Sequence, residues 1–228
     1  KMLKYLINLL FPKLCSGCNS LLLNNEKIIC SECNHNLPIT NHHVLESNDT
    51  TKKFYGIIPI EFSASMLYFH HKGIVQNLIH NLKYKNHQEV GSLLGKWYAK
   101  DLETVSQIKT VSEIIPVPLH KKRLEERGYN QVTTFCEALS NELKIPYNPD
   151  LLYRSRYSKT QTKKDKENRK DIANSLFDVN FTEADHNKHF LLVDDVMTSG
   201  ATLESCAKAL LKIPNSKVSV VTIAYTLS

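Results

Sequence analysis

The sequence predicts an α/β protein, a mostly parallel sheet flanked by helices, with a small cysteine-bearing module in front of it. Three observations carry that expectation. Short extended runs alternate with helical apolar spacing from about residue 60 onward. Phe190 to Val193 is a continuous apolar run, the mark of a strand covered on both faces. Two Cys-x-x-Cys turns stand close together in a stretch with little apolar periodicity.

Taken in order, the opening run Met2 to Phe11 is apolar but interrupted by Lys4 and Asn8. No small-residue cleavage site follows it before Cys15, so an amphipathic helix is expected there rather than a signal peptide. No stretch approaches the length of a membrane span, and a cytoplasmic protein is the expectation. Residues 39 to 56 are polar and read as a linker or exposed loop. Residues 1–56 are therefore expected to form one module and residues 57–228 a larger domain. Ile60 to Phe69 reads as a strand; Ile74 to Tyr84 and Val90 to Val105 have helical spacing. Glu113 to Pro118 is a short strand running into a loop, Asn130 to Leu143 a helix, Ala201 to Ile213 a helix, and Lys217 to Tyr225 a final strand.

The 228 residues are 42% hydrophobic and 23% charged, enough for a real core. The net charge is +6. Leu151 to Lys170 holds Arg154, Arg156, Lys159, Lys163, Lys164, Lys166, Arg169 and Lys170 against Asp165 and Glu167. Such a local excess points to an anionic partner, a phosphorylated small molecule or nucleic acid.

Cys15-x₂-Cys18-x₁₁-Cys30-x₂-Cys33 offers four thiolates to one tetrahedral ion, a structural Zn²⁺ site. The metal would supply folding energy that so short a segment lacks. Redox Cys-x-x-Cys pairs are the alternative, ranked below zinc because there are two pairs and no thioredoxin-like surroundings. Cys136 and Cys206 lie on apolar helix faces and read as core residues. Lys83 and Lys85 read as contacts to a helix end.

Phe190-Leu-Leu-Val-Asp-Asp-Val-Met-Thr-Ser-Gly-Ala-Thr202 places two carboxylates, Asp194 and Asp195, at the end of a buried strand. The loop Val196, Met197, Thr198, Ser199, Gly200, Ala201 and Thr202 then opens a helix whose N–H groups can receive a phosphate. Asp194 and Asp195 could hold sugar hydroxyls or a hydrated Mg²⁺; simple helix capping is the competing account. At these thirteen positions the chain resembles the type I phosphoribosyltransferases. Ile114 to Gln131, Lys159-Thr-Gln-Thr162 and Glu167 to Asp171, with the paired cysteines in front, resemble one branch of them, the competence-associated ComF family.

The resemblance implies a site for phosphoribosyl pyrophosphate or a related nucleotide with Mg²⁺. It implies a pyrophosphate-side loop from Val117 to Arg123, with His120, Lys121 and Arg123 as anion contacts; a solvated basic turn is the competing account. Residues 153–175 would be a flexible lid, with Lys163, Lys164 and Arg169 stabilising the leaving group; a solvated loop without a catalytic role competes here too. A role in DNA uptake follows from the resemblance, with single-stranded DNA or DNA-processing proteins as further partners. Transfer of ribose 5-phosphate to an acceptor is one expectation. A ligand-sensing adaptor without turnover and a factor associated with single-stranded DNA are the others.

Overall fold

In a computed structural model, the structure describes residues 12–84, 86–155 and 176–227. After the first cysteine turn, the second is continued by a short helix, α1 (Ser31–His35), and residues 42–44 make one 3₁₀ turn before helix α2 (Asp49–Lys52). Strand β1 (Phe62–Phe69) follows, then α3 (Ile74–Tyr84) and α4 (Glu89–Leu102). Strand β2 (Glu113–Pro116) leads to α5 (Lys121–Arg127) and α6 (Thr133–Leu143). The short strands β3 (Leu152–Arg154) and β4 (Phe177–Val179) pair antiparallel. Strand β5 (His189–Met197), helix α7 (Ala201–Leu210) and strand β6 (Lys217–Thr226) complete the fold.

The main sheet is parallel throughout, in the order β1-β6-β5-β2. Alternate residues of β5 supply two cores. Leu191 and Val193 face the layer built by α3, α4 and α6, where Leu78, Leu82, Leu94, Tyr98, Phe135 and Leu139 are buried. Phe190 and Leu192 face α7 and the β3–β4 hairpin, where Leu203, Leu210, Leu152 and Phe177 are buried. A strand buried on both sides needs no polar alternation, which is why residues 190–193 read as an unbroken apolar run.

Both edges of the sheet are closed by short stretches of chain. Tyr68 N donates to Pro38 O and Thr40 N to Met66 O beside β1; Ile114 N donates to Pro146 O and Asn148 N to Ile114 O beside β2. Neither edge is left as an open ladder.

Residues 39–56, expected as a linker, instead form a strap packed on β1. Thr40, His42, Asn48, Thr50 and Phe54 are buried there. Asn48 caps α2 by accepting from the N–H groups of Thr50 and Thr51, while its Nδ2 donates to Ser63 O at 2.8 Å. Polar side chains hide in this segment because each is hydrogen-bonded: Thr40 Oγ1 donates to Ser65 O, His42 Nδ1 accepts from Ser65 N, and Thr50 Oγ1 donates to Asn48 Oδ1. The cysteine segment is likewise continuous with the first core, through Cys15, Ile29, Cys30 and Cys33.

Candidate functional site

The parallel topology puts the C-terminal ends of β2 and β5 side by side, Pro116 opposite Val193. That is where open α/β sheets hold ligands. A cleft of about 360 Å³ lies there, lined by Lys83, Val117, His120, Arg123, Gln131, Arg154, Asp194, Asp195 and Thr202, with Pro118 and Leu119 on its wall. A second hollow of about 50 Å³ continues from Asp194 along the 196–203 loop at the start of α7.

The loop after β5 is shaped by main-chain geometry. Asp194 Oδ1 accepts from Asp195 N and Asp195 Oδ1 from Val196 N, both at 2.8 Å. These bonds turn the chain out of the sheet. Gly200 has φ +84° and precedes the first helical residue, a conformation that a side chain disfavours. The turn leaves Thr198, Ser199, Ala201 and Thr202 exposed around the helix start, while Met197 is buried beneath them. The first N–H groups of a ten-residue helix therefore face a small polar hollow suited to a phosphate.

The two carboxylates differ in surroundings. Burial, then the neighbouring charge of Asp195, pushes the Asp194 pKa well above the usual carboxylate value. Asp195 is 5% exposed, and Lys83 Nζ lies 2.5 Å from its Oδ2. Lys83 was expected to serve only the end of its own helix; the structure pairs it with a carboxylate from a distant strand. The basic cluster at the end of α3 was the available signal. Only the tertiary fold shows which anion it meets.

The opposite wall comes from the segment after β2. Val117, His120 and Arg123 line the cleft with the carboxylates, while Lys121 does not; its Nζ lies 3.6 Å from Glu125 on the outside of α5. Residues 121–127 are a helix rather than the continuation of a loop, capped by His120 Nδ1 and closed by Gly128 at φ +77°. Asn130 Nδ2 donates to Val117 O at 2.9 Å and so fixes the wall. Gln131, 7% exposed, accepts from Arg127 Nη1 at 2.7 Å, and the Arg127 guanidinium sits 4.9 Å from the Tyr84 ring. Gln131, the last residue of the Ile114–Gln131 motif, and Arg154, the first of the basic run after Leu151, complete the lining; their side chains were not among the expected ligand contacts.

Lys163, Lys164 and Arg169 lie outside the described residues. The chain leaves the described structure at Ser155 and re-enters at Leu176, which are joined by a 3.0 Å hydrogen bond at the end of the β3–β4 hairpin. Arg154, next to that point, lines the cleft and stacks on Phe177.

The four cysteines form a separate centre. Their sulfurs all lie within 4.8 Å of one another, a group that could hold a metal ion such as zinc. A tetrahedral ion with Zn–S bonds of about 2.3 Å needs sulfurs about 3.8 Å apart. Cys18 and Cys30 Sγ are 3.7 Å apart. Cys15 Sγ also accepts from the N–H groups of Gly17 and Cys30, which stabilises thiolate charge. Hydrogen bonds from Ser20 lower the Cys18 thiol to about 7, whereas burial pushes Cys33 up.

A parallel sheet ending in a carboxylate pair, an open helix start and a cationic wall defines a phosphoribosyltransferase-like domain, here joined to a four-cysteine module. Residues 133–228 match the family profile "Phosphoribosyl transferase domain". DNA utilization protein YhgH of Shigella flexneri is 26% identical over 217 residues, covering 94% of this chain and 91% of that protein. Competence protein F of Haemophilus influenzae is 29% identical over 147 residues, 63% of this chain and 64% of that protein. Competence protein ComFC of Bacillus subtilis is 32% identical over 99 residues, 43% of this chain and 38% of that protein. The chain is thus similar to proteins named for competence and for DNA utilization. Among solved structures it is similar to the glutamine phosphoribosylpyrophosphate amidotransferase of B. subtilis, at TM-score 0.43 and 15% identity over 64% of this chain and 30% of that one. It is also similar to an adenine phosphoribosyltransferase, at TM-score 0.33 and 14% identity over 67% of this chain and 69% of that one. No helix among the described residues is long and apolar enough to cross a membrane.

Proposed function

We propose that the cleft binds phosphoribosyl pyrophosphate together with Mg²⁺, and that the protein uses this ligand in the handling of DNA. The observation that carries the reading is the continuity of three differently tuned surfaces in one site. The open start of α7 suits a 5-phosphate, Asp194 and Asp195 suit a ribose diol, and His120, Arg123 and Arg154 line the side where a pyrophosphate would extend. A hydroxyl pair donates hydrogen bonds, and a carboxylate accepts them. Arginine forks match phosphate oxygens.

Mg²⁺ fits this donor set as an ion carried in with the ligand, because it prefers a few carboxylate or phosphate oxygens and several waters to a protein cage. Asp194 would be the protein group to meet it, since Asp195 already faces Lys83. When bound, the ion would neutralise charge on the pyrophosphate. The residues of the chain orient the sugar, hold its phosphate and offset the remaining negative charge. The DNA-related role rests on what the relatives are called and on nothing in the cleft itself.

Titration calorimetry tests the reading. Saturable, Mg²⁺-dependent binding of phosphoribosyl pyrophosphate, lost in Asp194→Asn and Asp195→Asn, supports it. No heat at millimolar ligand, in protein that is folded, sinks it. Release of pyrophosphate with an acceptor would add transfer to binding: the C1′–O bond to pyrophosphate breaks, a bond from C1′ to the acceptor forms, and the acceptor loses a proton. Binding with no release across a broad acceptor panel would make the protein a ligand sensor.

A further inference from the structure

Helix α3 runs from the cysteine module to the carboxylate cleft and is fastened at both ends. Asn77 Nδ2 donates to Gly17 O at 2.7 Å, and Asn81 Nδ2 donates to Ser16 O at 2.8 Å. The two asparagines are four apart, on one face of the helix. Asparagine is a poor residue for a helix interior, since its amide competes for main-chain partners. Asn81 is nevertheless 4% exposed, and the partner it takes belongs to another segment.

Ser16 and Gly17 are the two residues between the ligand candidates Cys15 and Cys18. Their peptide groups are held by the fold of the knuckle: Ser16 N donates to Ile28 O at 2.9 Å and Gly17 N to Cys15 Sγ at 3.3 Å. The contact is close, because a Cβ on Gly17 would sit 2.9 Å from both Cys33 Sγ and Ile74 Cγ2. The carbonyls that receive the asparagines therefore point where the cysteine centre sets them.

Two residues beyond Asn81, a rise of about 3 Å, Lys83 reaches Asp195. Tyr129 Oη donates to Leu82 O at 2.6 Å and Arg127 stacks on Tyr84, so the last turn also meets the wall of the cleft. Val75, Leu78, Ile79 and Leu82 bury the other face of the helix. That apolar face anchors the helix in the core, and the polar fastenings set its position along its axis and its rotation.

We propose that Asn77 and Asn81 are positioning residues that hold α3 to the cysteine knuckle so that Lys83 meets Asp195, tying the cleft's affinity for its phosphorylated ligand to the integrity of the cysteine module. The affinity part rests on the reading of the cleft as a phosphoribosyl pyrophosphate site; the placement of Lys83 does not.

The test uses the full chain with its metal, in Asn77→Ala and Asn81→Leu variants checked for native circular dichroism and unchanged metal content. Acetylation of lysines, read by mass spectrometry, reports the placement of Lys83 directly. Its side chain is 23% exposed and paired, whereas Lys121 at 71% serves as the internal reference. We expect Lys83 to label several-fold faster in the variants while Lys121 is unchanged. Binding of phosphoribosyl pyrophosphate should weaken about 5- to 10-fold, and this loss should vanish in a Lys83→Ala background. A merely structural role would give the same loss in both backgrounds. Unchanged Lys83 labelling, or a loss that persists without Lys83, overturns the proposal. If Asn81→Leu does not fold, Asn77→Ala decides it alone. If the unaltered protein binds no phosphoribosyl pyrophosphate, the functional reading fails, and the labelling still decides the coupling.

Discussion

Lys83 Nζ lies 2.5 Å from Asp195 Oδ2, joining the last turn of α3 to the end of β5. The pair neutralises a carboxylate that the sheet would otherwise bury alone. It also fixes one wall of the cleft against another, across the sheet-end crevice where ligands of α/β proteins bind.

Removing the lysine therefore leaves a buried charge without its partner. Lys83→Ala should destabilise the protein by about 1–3 kcal/mol, measured by urea unfolding at neutral pH. The double variant Lys83→Ala/Asp195→Asn should recover part of that loss, because neither charge is then stranded. Additive losses would show that the two groups are not coupled.

Asp194 gives a pH dependence of opposite sign to that of a salt-bridged carboxylate. Its folded pKa is raised by burial and by Asp195, above an unfolded value of roughly 4. Between the two values the folded state binds more protons, so this group's contribution falls as pH rises through that window. At neutral pH Asp194→Asn should stabilise the fold by about 1 kcal/mol while weakening ligand binding. The two effects are separable by thermal unfolding with and without ligand.

The cysteine module should contain about one Zn²⁺ per chain, measured by metal analysis of purified protein. Because the thiols must lose protons to bind it, uptake should release protons and weaken at low pH. Gly17→Ala places a methyl against Cys33 Sγ and Ile74, and should cost about 1–3 kcal/mol and lower metal retention. A fully folded, metal-free protein would refute the assignment.

At Gly200 the conflict is conformational rather than steric. An added Cβ would meet Lys53 and Phe54 at ordinary contact distances, 3.6 and 3.8 Å, but the φ of +84° is unfavourable for alanine. Gly200→Ala should destabilise by about 1 kcal/mol and displace the loop enough to weaken ligand binding. Equal affinity in the variant would mean that the phosphate is held elsewhere.

Much of the fold was legible because it rests on local pattern. The apolar run of β5 and the spacings of α3, α4, α6 and α7 each foretold their element. Residues 39–56 misled because, Phe54 apart, their buried groups are polar, and Thr40 and Asn48 find partners in the Ser65 and Ser63 carbonyls of β1, which no local pattern announces. Helix α5 was hidden for the opposite reason: it buries no residue, and its signs were the Lys121–Glu125 and Lys122–Glu126 spacings and Gly128. At the site, Asp194 to Thr202 are contiguous and could be read as a unit. Lys83, Gln131 and Arg154 join them only through the fold.

A crystal structure of the protein with phosphoribosyl pyrophosphate and Mg²⁺ tests the central claim most directly. It should show the 5-phosphate within hydrogen-bond distance of the N–H groups at the start of α7, and the ribose hydroxyls on Asp194 and Asp195. A ligand bound away from this loop, or an empty cleft at saturating ligand, would contradict the account.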